Sequence, residues 1–314
     1  MKATHSFIIV LFLYLPTWAI EIVESGYQVE TYASYLCPDT YRNSPGIACD
    51  PFGNLYISHW ENYEQYRGSI YRIDLDRVAK RLITGNHLPR KLVWTGLTDY
   101  GNVFYVAGAE NTGIEMFDLL GNTTNFCDLS WSQAVALDYS GKYGGLLYSA
   151  TRTHDHIYAI TPAGTATRFS SFPGDVPGGP VDLCFDPGYK YGGLLYLASN
   201  SPGRPNSSGL FSIDPQGNVV KFTEALSICN EINFDFDGTM FVCGKTESET
   251  IDDPARIWQV SPSGMISEFA RTTLDPQGFS SFTFGPDGSL FIPEFLEEYK
   301  LMIISRIVRS DYNM

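Results

Sequence analysis

The sequence predicts an all-β protein, a six-bladed β-propeller with four antiparallel strands per blade. Three observations carry that expectation. The heptad KYGGLLY stands at 142–148 and again at 190–196. Five longer stretches share one grammar: IACDPFGNLYIS (47–58), VALDYSGKYGGLLYSA (135–150), LCFDPGYKYGGLLYLA (183–198), INFDFDGTMFVC (232–243) and FTFGPDGSLFIP (282–293). Each runs from an apolar stretch through an Asp/Pro/Gly turn into another apolar stretch, the pattern of a β-hairpin. Finally, aromatic residues make up 14% of the chain and charged ones only 18%, a balance suited to half-buried strands rather than solvated helices.

In chain order, residues 1–19 come first. Lys2, the apolar run Phe7 to Leu15 and the small residues Thr17 and Ala19 read as a signal peptide, and the run is about half the ~20 residues that a membrane span requires. The sequence therefore predicts a secreted or periplasmic protein whose mature chain, 20–314, is a single propeller domain with no membrane span. Without residues 1–19 the chain keeps 20 basic and 35 acidic side chains, a net −15. Such a surface repels phosphate backbones and anionic lipid, which excludes nucleic acid and leaves cations, or an extracellular small molecule, sugar or protein, as partners.

The turn positions Asp50, Asp138, Asp186, Asp235 and Gly285 leave one gap, which LTDYGNVFYVAG (97–108) fills less regularly. Six units spaced 40 to 50 residues apart result, and after each hairpin come a third and a fourth strand, as in HIYAITPAGTATRFS and GLFSIDPQGNVVKF. Four short strands per such unit define a propeller blade. In the duplicated heptad, Gly-Gly permits the turn and Leu-Leu-Tyr begins the second strand, so its role is architectural. The last unit ends with MIISRIVRS and lacks an outer strand, which SGYQVETYASYL (25–36) supplies: Tyr27 to Ala33 beside Ile303 to Val308 would close the ring and cover two strand edges.

Six cysteines in an exported chain permit disulfides. Cys229 and Cys243 flank the FDFDG turn almost symmetrically and are the expected bridge; Cys37 with Cys49 is a second possibility. Asn122 and Asn206 begin glycosylation sequons. The motifs of the nucleophile elbow, the zinc proteases and the phosphate loop do not occur. Asp235-Phe-Asp237-Gly238 reads as a hairpin turn rather than a calcium loop. His154 and His156 would share one strand face, yet the sequence shows no third ligand and a polar turn accounts for them equally. In HWENYEQYRG (59–68), Trp60, Tyr63 and Tyr66 form either an aromatic platform for a ligand or an apolar lid over the blade.

SPGIACDPFGNLYIS resembles an NHL-type repeat, and residues 25–310 are similar in pattern to the six-bladed propellers of the gluconolactonase, paraoxonase and strictosidine-synthase group. FGPDGSLFIPEF also resembles a repeat of the virginiamycin-lyase type, in which a Glu follows the second strand as Glu294 does; that family's Glu-x-His is absent, since Phe295 and Leu296 follow. The group resemblance implies a ligand site at the channel mouth, on loops entering first strands and leaving second strands. Four residues before the turn positions stand Gly46, Ala134, Asp182, Glu231 and Ser281. Asp182 and Glu231 thus fall on neighbouring blades, with Asn230 beside them and Glu294 at the same face. These are ligands that a hard cation such as Ca2+ prefers. Asn230 maps to the Asn-Gly from which gluconolactonase-type propellers draw a metal ligand, though Glu231 replaces that Gly. The expected function is a binding module acting through one face of the ring; the alternatives are a calcium-dependent hydrolase or lactonase, favoured by acids at the channel mouth, and an extracellular scaffold, favoured by a dry, apolar mouth.

Overall fold

A computed structural model describes residues 20–37, 46–62, 65, 67–86, 88–108, 113–152, 156–171, 179–201, 207–249, 253–272, 281–296 and 300–310. Six antiparallel sheets stand around a central channel. Blade 1 contains β3 (Ile47–Cys49), β4 (Leu55–Asn62), β5 (Arg67–Ile73) and β6 (Ala79–Asn86), and blade 2 contains β7 (Pro89–Trp94), β8 (Phe104–Gly108), β9 (Ile114–Phe117) and β10 (Thr123–Cys127). Blade 3 has β11 (Ser132–Leu137), β12 (Leu147–Thr151), β13 (His156–Ile160) and β14 (Ala166–Ser171), and blade 4 has β15 (Pro180–Phe185), β16 (Leu195–Ser199), β17 (Gly209–Ile213) and β18 (Val219–Thr223). Blade 5 is β19 (Ile228–Phe234), β20 (Met240–Lys245), β21 (Arg256–Val260) and β22 (Ile266–Thr272); blade 6 begins with β23 (Thr283–Phe284), β24 (Leu290–Leu296) and β25 (Leu301–Arg309). The inner strands β3, β7, β11, β15, β19 and β23 touch in that order and close the circle.

Second strands are the most apolar because blades cover both of their faces: every residue of β8, β12 and β16 is buried. Between strands the turns follow the sequence grammar. Asp50 Oδ1 accepts the Phe52 and Asn54 N–H groups at 2.9 Å each, and Gly53 takes φ +89°, a conformation open to glycine. The Asp235 turn is built alike, with the Thr239 N–H donating to Asp235 Oδ1 at 2.7 Å. A hairpin thus accounts for both of its acids.

The duplicated heptad does more than turn. Tyr191 sends its hydroxyl into blade 5, donating to the Val260 carbonyl at 2.6 Å and accepting the Met240 N–H at 3.0 Å. Tyr143 does the same one blade earlier, with the Ile213 carbonyl at 2.5 Å and the Leu195 N–H at 3.1 Å. Met240 faces Val260 and Leu195 faces Ile213 across their sheets, so each hydroxyl completes the first rung of the next blade. Tyr148 and Tyr196 then donate to the Tyr143 and Tyr191 carbonyls and fix the turn from within. Tyr100 and Tyr105 in DYGNVFY repeat the device in blade 2, reaching the Ile160 carbonyl and the Leu147 N–H of blade 3. The heptad is an inter-blade rivet, and the irregular second unit carries a third copy.

The N-terminal segment closes the ring as expected, as β2 (Tyr27–Leu36), which pairs with β25 from Tyr27 opposite Arg309 to Leu36 opposite Leu301. Just before it, β1 (Ile20–Ile22) adds a fifth strand to blade 5, Ile20 facing Thr272, with Ile20 buried in that blade's core. The cysteines differ from expectation. Among the described residues no disulfide joins any of the six, Cys229 and Cys243 included. A bulge at Asn230 shifts the register so that Cys243 faces Glu231 and Cys229 faces Gly244, which removes the symmetry the turn suggests.

Candidate functional site

The channel is crossed at mid-height by a buried ion cluster that joins three blades. Asp182, on β15, and Glu231, on β19, are 0% and 5% exposed. Lys91 comes from β7 in blade 2, which the six-membered ring places opposite blade 5, and its Nζ stands 3.2 Å from Asp182 Oδ2 and in contact with Glu231 Oε1. Asp182 Oδ2 also accepts the Ile232 N–H at 2.8 Å, tying blade 4 to blade 5. Asn233 donates to the Phe282 carbonyl at 2.6 Å and to Glu231 at 3.3 Å, extending the tie to blade 6.

Burial works against the Lys91 charge, but the Asp182 and Glu231 carboxylates outweigh it and raise its pKa. The ammonium stays charged. Burial lifts Glu231 to about 8, helped by repulsion from Asp182 and opposed by Lys91. Asp182 is raised as well, chiefly by desolvation. A single cation thus faces two acids that resist ionising together.

Below the cluster the channel widens into a cavity of about 750 Å³ that opens on the face of the first-to-second-strand turns. Lys91 and Asn233 form its floor; Trp94, Leu137, Phe185 and Phe234 are among its walls. Tyr139 and Tyr189 stand at the rim, 63% and 56% exposed. Two free thiols, Cys49 and Cys184, also face this space, and burial pushes each up to about 12.

The structure brings together only part of the expected calcium set. Asp182 and Glu231 meet, but around Lys91. Asn230 turns to blade 4, accepting from Asn200 Nδ2 at 2.6 Å. Glu294, two residues before the end of β24, accepts instead from Ser305 Oγ at 2.8 Å, and burial lifts its carboxyl to about 7. No three His, Cys, Asp or Glu side chains group as a metal site among the described residues. The aromatic platform is also altered. Trp60 lies on β4, 7% exposed, donating from Nε1 to the Pro89 carbonyl at 2.9 Å beneath the Arg90 guanidinium. Its ring belongs to the core; Tyr63 and Tyr66, like His154 and Asn206, lie outside the described residues.

Lys91 is the residue that the sequence reading missed. In the second hairpin the Thr95 N–H donates to the Val103 carbonyl, as the Asp138 N–H does to Leu146, so Thr95 is that blade's turn position. Four residues before it stands Lys91. The same count that finds Asp182 and Glu231 finds their counter-ion, once the irregular turn is placed.

Other folded chains share this architecture. A gluconolactonase from Xanthomonas campestris superposes with a TM-score of 0.67 at 12% identity, covering 93% of this chain and 96% of that one. An auxiliary nutrient binding protein from Bacteroides ovatus gives 0.64 at 13%, over 90% and 76%. A streptogramin B lyase gives 0.60 at 15%, over 90% and 97%. The likeness is one of fold. No family model and no curated protein matches the sequence.

Proposed function

We propose that this propeller is a binding module that takes a compact, uncharged, largely apolar molecule into its central channel from the turn face. The cavity carries the reading: about 750 Å³ of mostly apolar wall ending in a small polar floor is the size and make-up of a small-molecule site. An ammonium has three donors, and two point at Asp182 and Glu231, which leaves one for an acceptor oxygen on the ligand. The two carboxylates behind it disfavour an anionic head group. The fold neighbours include both gluconolactonases and nutrient-binding propellers, and Lys91 favours the second. A resident divalent cation does not fit residues whose acids already hold an ammonium.

The chain is further proposed to be exported, with cleavage after Ala19 leaving Ile20 to begin β1; intact mass of the secreted product tests this. Trp94 in the wall supplies a fluorescence readout for binding. Acetylnaphthalene, ethylnaphthalene and naphthoate share one apolar body and differ in the head. The expected order is ketone above hydrocarbon above carboxylate, with the ketone preference lost in Lys91→Met. Failure of all three probes to change Trp94 emission or melting temperature would remove the binding reading.

A further inference from the structure

We propose that Lys91 is a tethered cation: its ammonium fills the position at which the channel would otherwise hold a metal, and removing it converts Asp182 and Glu231 into a site for a hard divalent cation. The inference is independent of what the cavity below contains.

Geometry supports it in three ways. Lys91, Asp182 and Glu231 occupy the same place in the repeat, four residues before the turn position of blades 2, 4 and 5, so all three side chains start from one level of the channel. The Lys91 stem then crosses toward the opposite side, and its Nζ meets one oxygen of each acid. Both carboxylates are also held by groups other than the lysine, Asp182 by the Ile232 N–H at 2.8 Å and Glu231 by Asn233 Nδ2 at 3.3 Å. Their direction is therefore set by the backbone and a neighbour, and persists when the ammonium is gone.

Two ionised carboxylates at 0% and 5% exposure without a counter-charge are strongly unfavourable, so without Lys91 the pair either takes up protons or holds a cation, and a hard divalent ion competes for the place of those protons. Lysine is a compact point charge on a flexible stem and can fill that role from across a channel. Calcium would fill it with oxygen ligands and bound water, and the cavity that begins at Lys91 provides room for both the stem-sized gap and the water. The chain thus carries internally what a metal-binding ring would take from solution.

The test uses the full mature chain and calcium itself. Wild type is expected to melt at the same temperature, within about 1 °C, in EDTA and in 5 mM CaCl2, and to show no heat of calcium binding by calorimetry. Lys91→Ala is expected to melt lower in EDTA, to regain about 5 °C in CaCl2, and to bind one calcium per chain, with the gain abolished by adding Asp182→Asn. Lys91→Arg, which keeps the charge, should stay indifferent to calcium. A folded Lys91→Ala that ignores calcium overturns the proposal. So does a wild type that binds calcium and loses it in Asp182→Asn. Where Lys91→Ala fails to fold in EDTA, refolding in CaCl2 decides: recovery supports the tethered cation. Failure there, alongside a folding Lys91→Met/Asp182→Asn/Glu231→Gln triple variant, overturns it.

Discussion

Replacing Tyr191 by Phe removes one oxygen from an otherwise unchanged core. That hydroxyl is the only link described between the Val260 carbonyl and the Met240 N–H, at 2.6 and 3.0 Å, and the site between blades 4 and 5 is closed to water, Met240 and Val260 being 0% and 1% exposed. The variant leaves a backbone donor and a backbone acceptor buried without partners. Each such group costs about 1–3 kcal/mol, and with partial relaxation of the rung the expected loss is about 3 kcal/mol. Equilibrium urea unfolding measures it, as a lower midpoint with an unchanged slope. Tyr143→Phe, which breaks the equivalent contact one blade earlier, should lose a similar amount, whereas Tyr189→Phe at the half-exposed rim should stay within about 0.5 kcal/mol. A Tyr191→Phe protein as stable as wild type would refute the rivet.

Burial lifts the Glu294 carboxyl to about 7, against an unfolded value near 4.5, so the folded state holds a proton that the unfolded chain releases. Its stabilisation is complete below about pH 4.5 and is lost as pH rises through 7, on the order of 3 kcal/mol in all; Glu294→Gln should flatten that slope and exceed wild type at pH 8 in urea midpoints. His59 has the opposite sign. Burial, with help from the nearby Arg81 charge, pushes its imidazole down to about 3, so stability present above about pH 6.5 is lost as pH falls toward 3, and His59→Asn should weaken that acid limb. Deleting residues 20–35 strips β1 and most of β2 from two blades, which should cause aggregation or loss of cooperative melting; an unchanged melting curve would refute the closure. Thiol titration should find six reactive cysteines in denatured protein, and peptide mapping without reductant should find Cys229 and Cys243 unlinked.

Repetition made the architecture legible. Hairpin turns at Asp50, Asp138, Asp186, Asp235 and Gly285 set the blade count because the turn chemistry is local: an Asp that caps its own turn and a Gly with positive φ leave the same mark wherever they occur. The closure by β2 was legible because the last unit, ending in MIISRIVRS, lacks an outer strand and the segment 25–36 offers one. What escaped depends on contacts across the ring. Lys91 precedes a hairpin whose turn position is Thr95 rather than Asp, so the count that found Asp182 and Glu231 passed over it. Trp60 reads as a loop aromatic next to Tyr63 and Tyr66, yet β4 extends to Asn62 and carries it into contact with Leu88 and the Pro89 carbonyl. The Cys229–Cys243 symmetry fails through one bulged residue, which composition around the turn does not reveal.

The N-terminal segment spans two blades: Ile20–Ile22 lies on blade 5 and Tyr27–Leu36 on blade 6, whose partner strand ends at Arg309. During synthesis Tyr27–Leu36 therefore leaves the ribosome early and is among the last segments to find a place. Blades 1 to 4 can assemble from neighbours as they emerge, but the circle stays open until some 280 further residues have been made, since Tyr27 waits for Arg309. The same order makes truncation near residue 300 as damaging as loss of the N-terminus, because either end alone leaves the other without its strand.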